Sequence, residues 1–390
     1  MRSKSHFLLE EINKMENMLE YIKETPEILS DIIDNSRKYT KPLIDFYIEN
    51  CCKRIHLIAS GSSYNGSLCA LYFMKHILQS DIAVTAPFTF ANHETPLNSD
   101  TMYIFISQSG CSTNILTAIK MLKEKGYKTA CLVGRTDSDA EKLADLTVNW
   151  HCGEEKIGFV TKGVSSLACF LMCFSLNLAL KRKLIDDKTN IYYLDEMKKT
   201  QDLQPKLLEN TIDIFAKNKE DFINSKKIVL LSSGPNFGTI TEGALKIAET
   251  CCRTAIACEA EEFLHGPLYP STPEDLFIII DNNNHPSTAR LIDIAVALKD
   301  VSEKVYVLGN TERFDTNHRF ALEDQTDPLV SPLYKLTCLQ TLAYMISENT
   351  NRYEPHEAVK RFKKANKVAS KSRPDLYLDL QKIENSESAS

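Results

Sequence analysis

The chain has 390 residues, a formal net charge of −6 and 43% hydrophobic residues. That length suits two domains of ordinary size, and the mild acidity gives no basic face for nucleic acid. No early apolar run is long enough for a signal peptide or a membrane span, and the 12 cysteines include no CxxC pair, so reduced structural thiols of a cytoplasmic protein are expected.

In chain order, residues 1–48 read as a helical segment, with Thr25-Pro26-Glu27 as N-cap, first-turn proline and first-turn acid. Residues 49–185 form a first α/β unit. Its strands are expected at 55–60, 82–86, 102–107, 128–133 and 146–150, its helices near 63–79, 113–125 and 160–182. A charged, helix-prone connection fills 186–222. A second unit, 223–350, has strands expected at 227–232, 255–259, 276–281 and 304–308, and helices near 238–251, 286–299 and 333–348. The tail, 351–390, ends in the polar run QKIENSESAS, which is expected to fray. Continuous apolar strands separated by helices indicate parallel sheets covered on both faces.

The second unit repeats the first. IHLIASGSSYNG from Ile55 aligns without a gap with IVLLSSGPNFGT from Ile228. The strand ending at Ser107 matches the one ending at Asp281, and ACLVG ending at Gly134 matches VYVLG ending at Gly309. Landmarks that stay in register to within two residues mark a duplicated unit.

In the first unit an apolar strand ends at Ser107-Gln108-Ser109-Gly110, and a helix begins just after Ser112. Unpaired backbone N–H groups at such a junction favour an anion, the hydroxyls add donors, and Gly110 permits a tight turn. With no Lys or Arg in the loop, a small phosphate monoester fits better than a polyanion. A second polar loop, Ser60 to Ser63, ends the first strand and faces the same crevice. Gly61 and Gly66 have Walker-like spacing, but Ser67-Leu68 stand where Lys-Ser/Thr is required, and no GxGxxG follows a strand. The matching loop of the second unit, Asp281 to Asn284, carries an acid that repels phosphate.

The second unit offers acid–base groups instead. Glu242, Lys246 and Glu249 share one helix face, and His265 precedes the breaking pair Gly266-Pro267. Taken singly, Glu242 with Lys246 would be a surface ion pair and Glu249 a solvated acid. Glu262-x-x-His265 is half of a carboxylate-bridged metal motif, but no second copy and no HExxH occur, so no metal is expected.

SGSSYN (60–65), SQSG (107–110), TKG (161–163), EGALKIAE (242–249), EFLHGPL (262–268) and DPLVSPLYKLTCLQTLAY (327–344), in this order, resemble the double sugar-isomerase (SIS) domain family. They are most similar to the isomerase half of glucosamine-6-phosphate synthase and to fructosamine 6-phosphate deglycases. The resemblance implies an α/β fold of two flavodoxin-like, three-layer parallel-sheet domains in tandem, flanked by helical N- and C-terminal segments. It also implies a homodimer with the site near the subunit boundary, acting on a phosphorylated sugar or amino sugar with no cofactor. It assigns phosphate to Ser63, Ser107, Gln108, Ser109 and Ser112, and further substrate contacts to Thr161 and Lys246. Proton shuttling falls to Glu249, ring opening to His265 from the other subunit, and Schiff-base formation to Lys360, with Lys363, Lys364 and Lys367 close by. The chain begins Met1-Arg2-Ser3 with no room for the synthase's glutaminase, so ammonia from glutamine is not expected. The implied activity is aldose–ketose isomerisation coupled to C–N cleavage or formation. Plain isomerisation and non-catalytic sugar-phosphate sensing are the alternatives.

Overall fold

A computed structural model describes residues 17–156, 158–322, 324–350, 355–365 and 370–372; the expected fraying at QKIENSESAS lies outside them. Two helices open the chain, α1 (Met18–Asp34) and α2 (Ser36–Glu49). The first unit follows as β1 (Arg54–Ala59), α3 (Ser62–Leu78), β2 (Ile82–Thr85), α4 (Pro87–His93), β3 (Thr101–Ser107), α5 (Thr113–Glu124), β4 (Thr129–Val133), β5 (Leu146–Asn149) and α6 (Lys162–Lys181). Helices α7 (Asp187–Lys217) and α8 (Lys219–Asn224) connect to the second unit. That unit comprises β6 (Lys227–Ser232), α9 (Phe237–Cys251), β7 (Thr254–Glu259), α10 (Ala260–Leu264), β8 (Leu276–Ile280), α11 (Ser287–Leu298), β9 (Val305–Leu308), β10 (Arg319–Phe320) and α12 (Pro332–Thr350). A short helix, α13 (Glu357–Ala365), lies in the tail.

Both sheets are parallel throughout, with orders β2-β1-β3-β4-β5 and β10-β9-β8-β6-β7. Counted within its own unit, each sheet has the same order, 2-1-3-4-5, so the sequence repeat is also a topological one. That order reverses direction between the first and third strands, the point where open α/β sheets bind ligands.

The strands form where expected, since fully buried runs such as Leu276–Ile280 pack apolar side chains on both faces. Three elements escaped the sequence pattern: α4, α10 and the two-residue β10, all too short for a periodic signal. The expected cap at Thr25 is displaced. Helix α1 starts eight residues earlier, where the Asn17 side chain accepts from the Glu20 N–H at 3.1 Å. Pro26 is thus interior, and the Thr25 hydroxyl donates back to the Tyr21 carbonyl at 2.8 Å.

Helix α6 is the centre of the first core. It is long and apolar enough to cross a membrane by length and composition, but 89% of its most apolar stretch is buried inside the protein. Gly66 lets α3 approach it, since a Cβ there would stand 3.0 Å from the Val164 carbonyl oxygen. The two units join through α9. On one side a Cβ at Gly238 would lie 2.4 Å from the Cys69 nitrogen of α3; on the other, a Cβ at Gly243 would lie 2.2 Å from Leu339 of α12. At Gly238 the obstacle is backbone, so no larger side chain fits; at Gly243 a larger residue would require Leu339 to move. All twelve cysteines are unpaired.

Candidate functional site

A cleft of about 860 Å³ opens at the carboxyl ends of the first sheet, over the β1/β3 switch point. Ser63, Ser107, Gln108, Ser109 and Ser112 all line it, so the expected phosphate residues converge on one wall. The Ser107 hydroxyl lies 2.9 Å from that of Ser112 and 3.4 Å from that of Ser109, and Ser109 Oγ accepts from the Cys111 N–H at 3.2 Å. Gly110 makes this turn possible: its φ is +62°, and a Cβ would stand 2.3 Å from that of Ser138. Helix α5 begins just after Ser112, and at its head the Thr113 N–H donates to the Ser370 carbonyl at 3.2 Å and the Ile115 N–H to Asn114 Oδ1 at 2.9 Å, so the ligand donors here are the hydroxyls.

Through α9 the second unit reaches this wall at Glu242, while Lys246 and Glu249 do not line the cleft itself. Ser62 Oγ donates to Glu242 Oε1 at 2.9 Å, and Asn65 Nδ2 to Glu242 Oε2 at 2.8 Å. Lys246 Nζ lies 3.5 Å from Glu242 and donates to Glu249 Oε2 at 2.6 Å. Glu242 and Lys246 are therefore not the surface pair their spacing alone suggests; they are buried where α9 docks on α3. Burial pushes the Glu242 pKa up against the pull of Lys246. Burial works to lower that of Lys246, yet Glu242 and Glu249 outweigh it, so the ammonium is retained. Only Glu249, with its side chain 37% exposed, opens from this row toward solvent.

The tail supplies a lysine at a different position from the one expected. Lys360, on α13, is paired with Glu357 at 2.9 Å and does not line the cleft. Lys367 lies outside the described residues. Lys371 does line the cleft. It forms an antiparallel bridge with Ser112, flanked by Thr113 N–H to the Ser370 carbonyl at 3.2 Å and Ser372 N–H to the Cys111 carbonyl at 2.8 Å. Residues bridged in this way project to the same face, so the amine sits beside the serine wall. Burial lowers its pKa to about 8, against the opposing influence of Cys111 and Glu249. The loose match of the tail to the family pattern gave no signal for this position.

Thr161, also singled out by the sequence, is the buried N-cap of α6. Its N–H and that of Lys162 both donate to Glu155 Oε1 at 2.8 Å, and Gln108 Nε2 donates to Glu155 Oε2 at 2.5 Å. The Gln108 amide is thus committed to Glu155 rather than turned to the serines. Although Glu155 keeps some exposure, dense surroundings push its pKa up, opposed by these three N–H donors and Lys162. Sequence reasoning missed Glu155, because nothing near it in the chain shows that Gln108 will cross to it.

His265 caps the short helix α10 and is exposed. It does not line the cleft of its own chain. The duplicate loop at Asp281 is closed from within: the Lys335 ammonium donates to the Asp281 carbonyl at 2.7 Å and pairs with its carboxylate, both side chains being 1% exposed. Asn236, Asn282 and Ser331 fill the rest of that loop with one another. Among the described residues no group of His, Cys, Asp and Glu is arranged to hold a metal ion.

One hydroxyl-lined loop, in only one of two matching parallel-sheet units, is the arrangement to be placed among known proteins. The model of the SIS domain matches residues 50–176 and 221–345, one match per unit. The chain belongs to the SIS domain family. This SIS protein is similar to isomerizing glutamine–fructose-6-phosphate aminotransferases: 26% identity over 255 residues with that of Bartonella quintana, covering 63% of this chain and 41% of the relative. With that of Fusobacterium nucleatum it shares 26% over 357 residues, covering 88% and 56%. The chain thus spans about half the length of the curated relatives it matches. Among solved structures, the C-terminal domain of glucosamine-fructose-6-phosphate aminotransferase from Francisella tularensis superposes with a TM-score of 0.78 at 22% identity, covering 86% of this SIS protein and 96% of that chain.

Proposed function

We propose that this SIS protein is an enzyme that interconverts aldose and ketose forms of a hexose or amino-sugar 6-phosphate, coupled to cleavage or formation of a C–N bond. The observation that carries the reading is Lys371 bridged to the serine wall at Ser112, with Glu249 at the exposed end of the α9 row whose buried end, Glu242, bonds to Ser62 beside that wall.

In this reading the hydroxyls of Ser63, Ser107, Ser109 and Ser112 take the phosphate. The neutral amine of Lys371 adds to the ketone carbon of the open-chain sugar, and loss of water gives an imine. Transfer of C2 from Lys371 to an amine, or to water, frees the lysine and leaves an open-chain imine or ketone, and Glu249 then removes a proton from C1 or C2 and returns it to the other. Where the substrate carries nitrogen at C1 or C2, the same transfer gives an imine at that nitrogen; water then releases the amine and restores the sugar carbonyl. Lys246 holds Glu249 in place through the 2.6 Å contact. His265, exposed and outside its own chain's cleft, serves the cleft of a second copy and opens the ring, so the working unit is a homodimer. Twelve unpaired thiols fit a cytoplasmic setting.

The test is a screen of phosphorylated Amadori compounds, glucosamine 6-phosphate and fructose 6-phosphate, scored for released amine and for ketose–aldose exchange. Borohydride reduction with fructose 6-phosphate present should leave the sugar on Lys371. Binding of these compounds with no turnover of any would overturn the enzyme reading in favour of a sensor.

A further inference from the structure

The two matching units hold the same loop position in opposite ways. Ser60 follows β1 as Ser233 follows β6, and Gln108 follows Ser107 as Asn282 follows Asp281. In the second unit the Asn282 amide lies across the strand ends. Its Nδ2 donates to Ser233 Oγ at 3.1 Å and to Ser287 Oγ, at the head of α11, at 3.0 Å, and its Oδ1 accepts from Asn236 Nδ2 at 3.0 Å. Asn282 is buried in that position and helps to close the second loop.

In the first unit the equivalent amide is turned the other way. Gln108 Nε2 donates to Glu155 Oε2 at 2.5 Å, and Ser60 stays exposed on the cleft wall. The tie from Ser60 to the head of α5 comes from Asn114 Nδ2 instead, at 2.9 Å. Two glycines make room for the turned side chain. A Cβ at Gly134 would stand 2.7 Å from Gln108 Cγ, and a Cβ at Gly163 would stand 2.5 Å from Gln108 Oε1 and 2.7 Å from its Nε2. This seat carries a cost, because Gln108 Oε1 is buried there with no donor among the described residues, a penalty of about 1–3 kcal/mol. The bond to Glu155 offsets it: a charged acceptor strengthens a hydrogen bond, and the carboxylate is itself fixed by the Thr161 and Lys162 N–H groups at 2.8 Å. Gln108 has one methylene more than Asn282, and β1 and β3 are paired neighbours, about 4.8 Å apart. Ser60 is therefore within reach of the Gln108 amide, as Ser233 is within reach of Asn282.

We propose that Glu155 is a positioning residue that holds this cleft open. It draws the Gln108 amide off Ser60. Without that pull Gln108 swings onto Ser60, as Asn282 lies on Ser233, and covers the loop that takes the phosphate. The inference rests on the phosphorylated-sugar reading above only for what the open cleft admits, since the latch itself is internal to the protein.

The test is a double-mutant cycle on the whole protein, with fructose 6-phosphate and glucosamine 6-phosphate as calorimetric probes. Glu155→Leu releases Gln108 by removing its acceptor. Gly163→Ala releases it by filling its seat and leaves Glu155 with Thr161 and Lys162. Each should weaken binding about tenfold, the effect of a closed arrangement favoured about nine to one. Added to Gln108→Ala, neither should weaken binding by more than about twofold relative to Gln108→Ala alone, because no amide remains to close. An equal loss with and without Gln108 would reduce Glu155 to a support for the head of α6, and no loss in either background would mean the cleft stays open unaided; both overturn the proposal. A crystal structure of either single variant gives a reading that needs no ligand. Gln108 Nε2 should lie within hydrogen-bonding distance of Ser60 Oγ, and a Gln108 amide anywhere else refutes the latch. If neither sugar phosphate binds wild type, the functional reading fails while that structure still decides the latch. Thermal melts establish that the variants are folded, and Gly163→Ala carries the cycle alone should Glu155→Leu not fold.

Discussion

Lys371 lies directly across an antiparallel bridge from Ser112, while Lys360 is held by Glu357 on a helix away from the cleft. The amine that a C-terminal tail delivers to the serine wall is therefore the one in Ser370-Lys371-Ser372. Lys371→Met should lower turnover of the responsive substrate by about two to four orders of magnitude, the range for loss of an acid–base or nucleophilic group. Lys360→Met should leave turnover within about twofold, because Lys360 does not line the cleft. Steady-state rates for the two variants decide between the lysines.

The pH profile should carry the Lys371 signature. Burial sets its pKa near 8, with Cys111 and Glu249 opposing. The free amine is the reacting form, so kcat/KM should rise with pH and level off above about 8. Docking of the tail should follow the same group. The docked amine binds fewer protons than the free tail between about 8 and the ordinary lysine value, so docking tightens as pH rises through that window. Limited proteolysis of the tail at pH 7 and pH 9.5 would check this; faster cleavage at the higher pH would contradict it.

Glu249 and Glu242 should separate into chemistry and architecture. Glu249→Gln should abolish turnover and leave sugar-phosphate binding nearly intact; unchanged turnover would remove it from the mechanism. Glu242→Leu loses the bonds from Ser62 and Asn65 and deprives Lys246 of a buried partner. Breaking a buried pair costs about 3–5 kcal/mol, readable in urea denaturation. Weaker sugar-phosphate binding should accompany it, since Ser62 begins the helix that carries Ser63.

The serine wall can be tested one hydroxyl at a time. Ser109→Ala removes the acceptor for the Cys111 N–H and one donor to the ligand. Affinity for phosphorylated sugars should fall about tenfold, the effect of one hydrogen bond to a charged group. An unphosphorylated analogue should bind as before. Gly110→Ala should be harsher, because its left-handed φ and the Ser138 contact both resist a side chain.

The closed loop of the second unit should matter for stability alone. Lys335→Met strands the Asp281 carboxylate in the interior and should cost about 3–5 kcal/mol. Adding Asp281→Asn should recover much of it. Sugar-phosphate affinity in the double variant should match wild type; a changed affinity would mean the second loop contacts ligand.

The sequence by itself determined the duplication, the parallel sheets and the serine junction. Apolar periodicity and the placing of Ser107, Ser109, Gly110 and Ser112 are local properties, fixed by strand and helix chemistry over a few residues. It also identified Glu242, Lys246 and Glu249 as one helix face. What it could not determine was the environment of that face. Glu242 and Lys246 are buried only because Gly238 lets α9 settle onto α3, a contact between residues about 170 positions apart. The same holds for Lys371, brought to Ser112 by backbone pairing over more than 250 residues, and for Glu155 on Gln108. Spacing along the chain records which groups can share an element. Which groups share a cleft is decided by how the elements dock, and only the tertiary structure carries that.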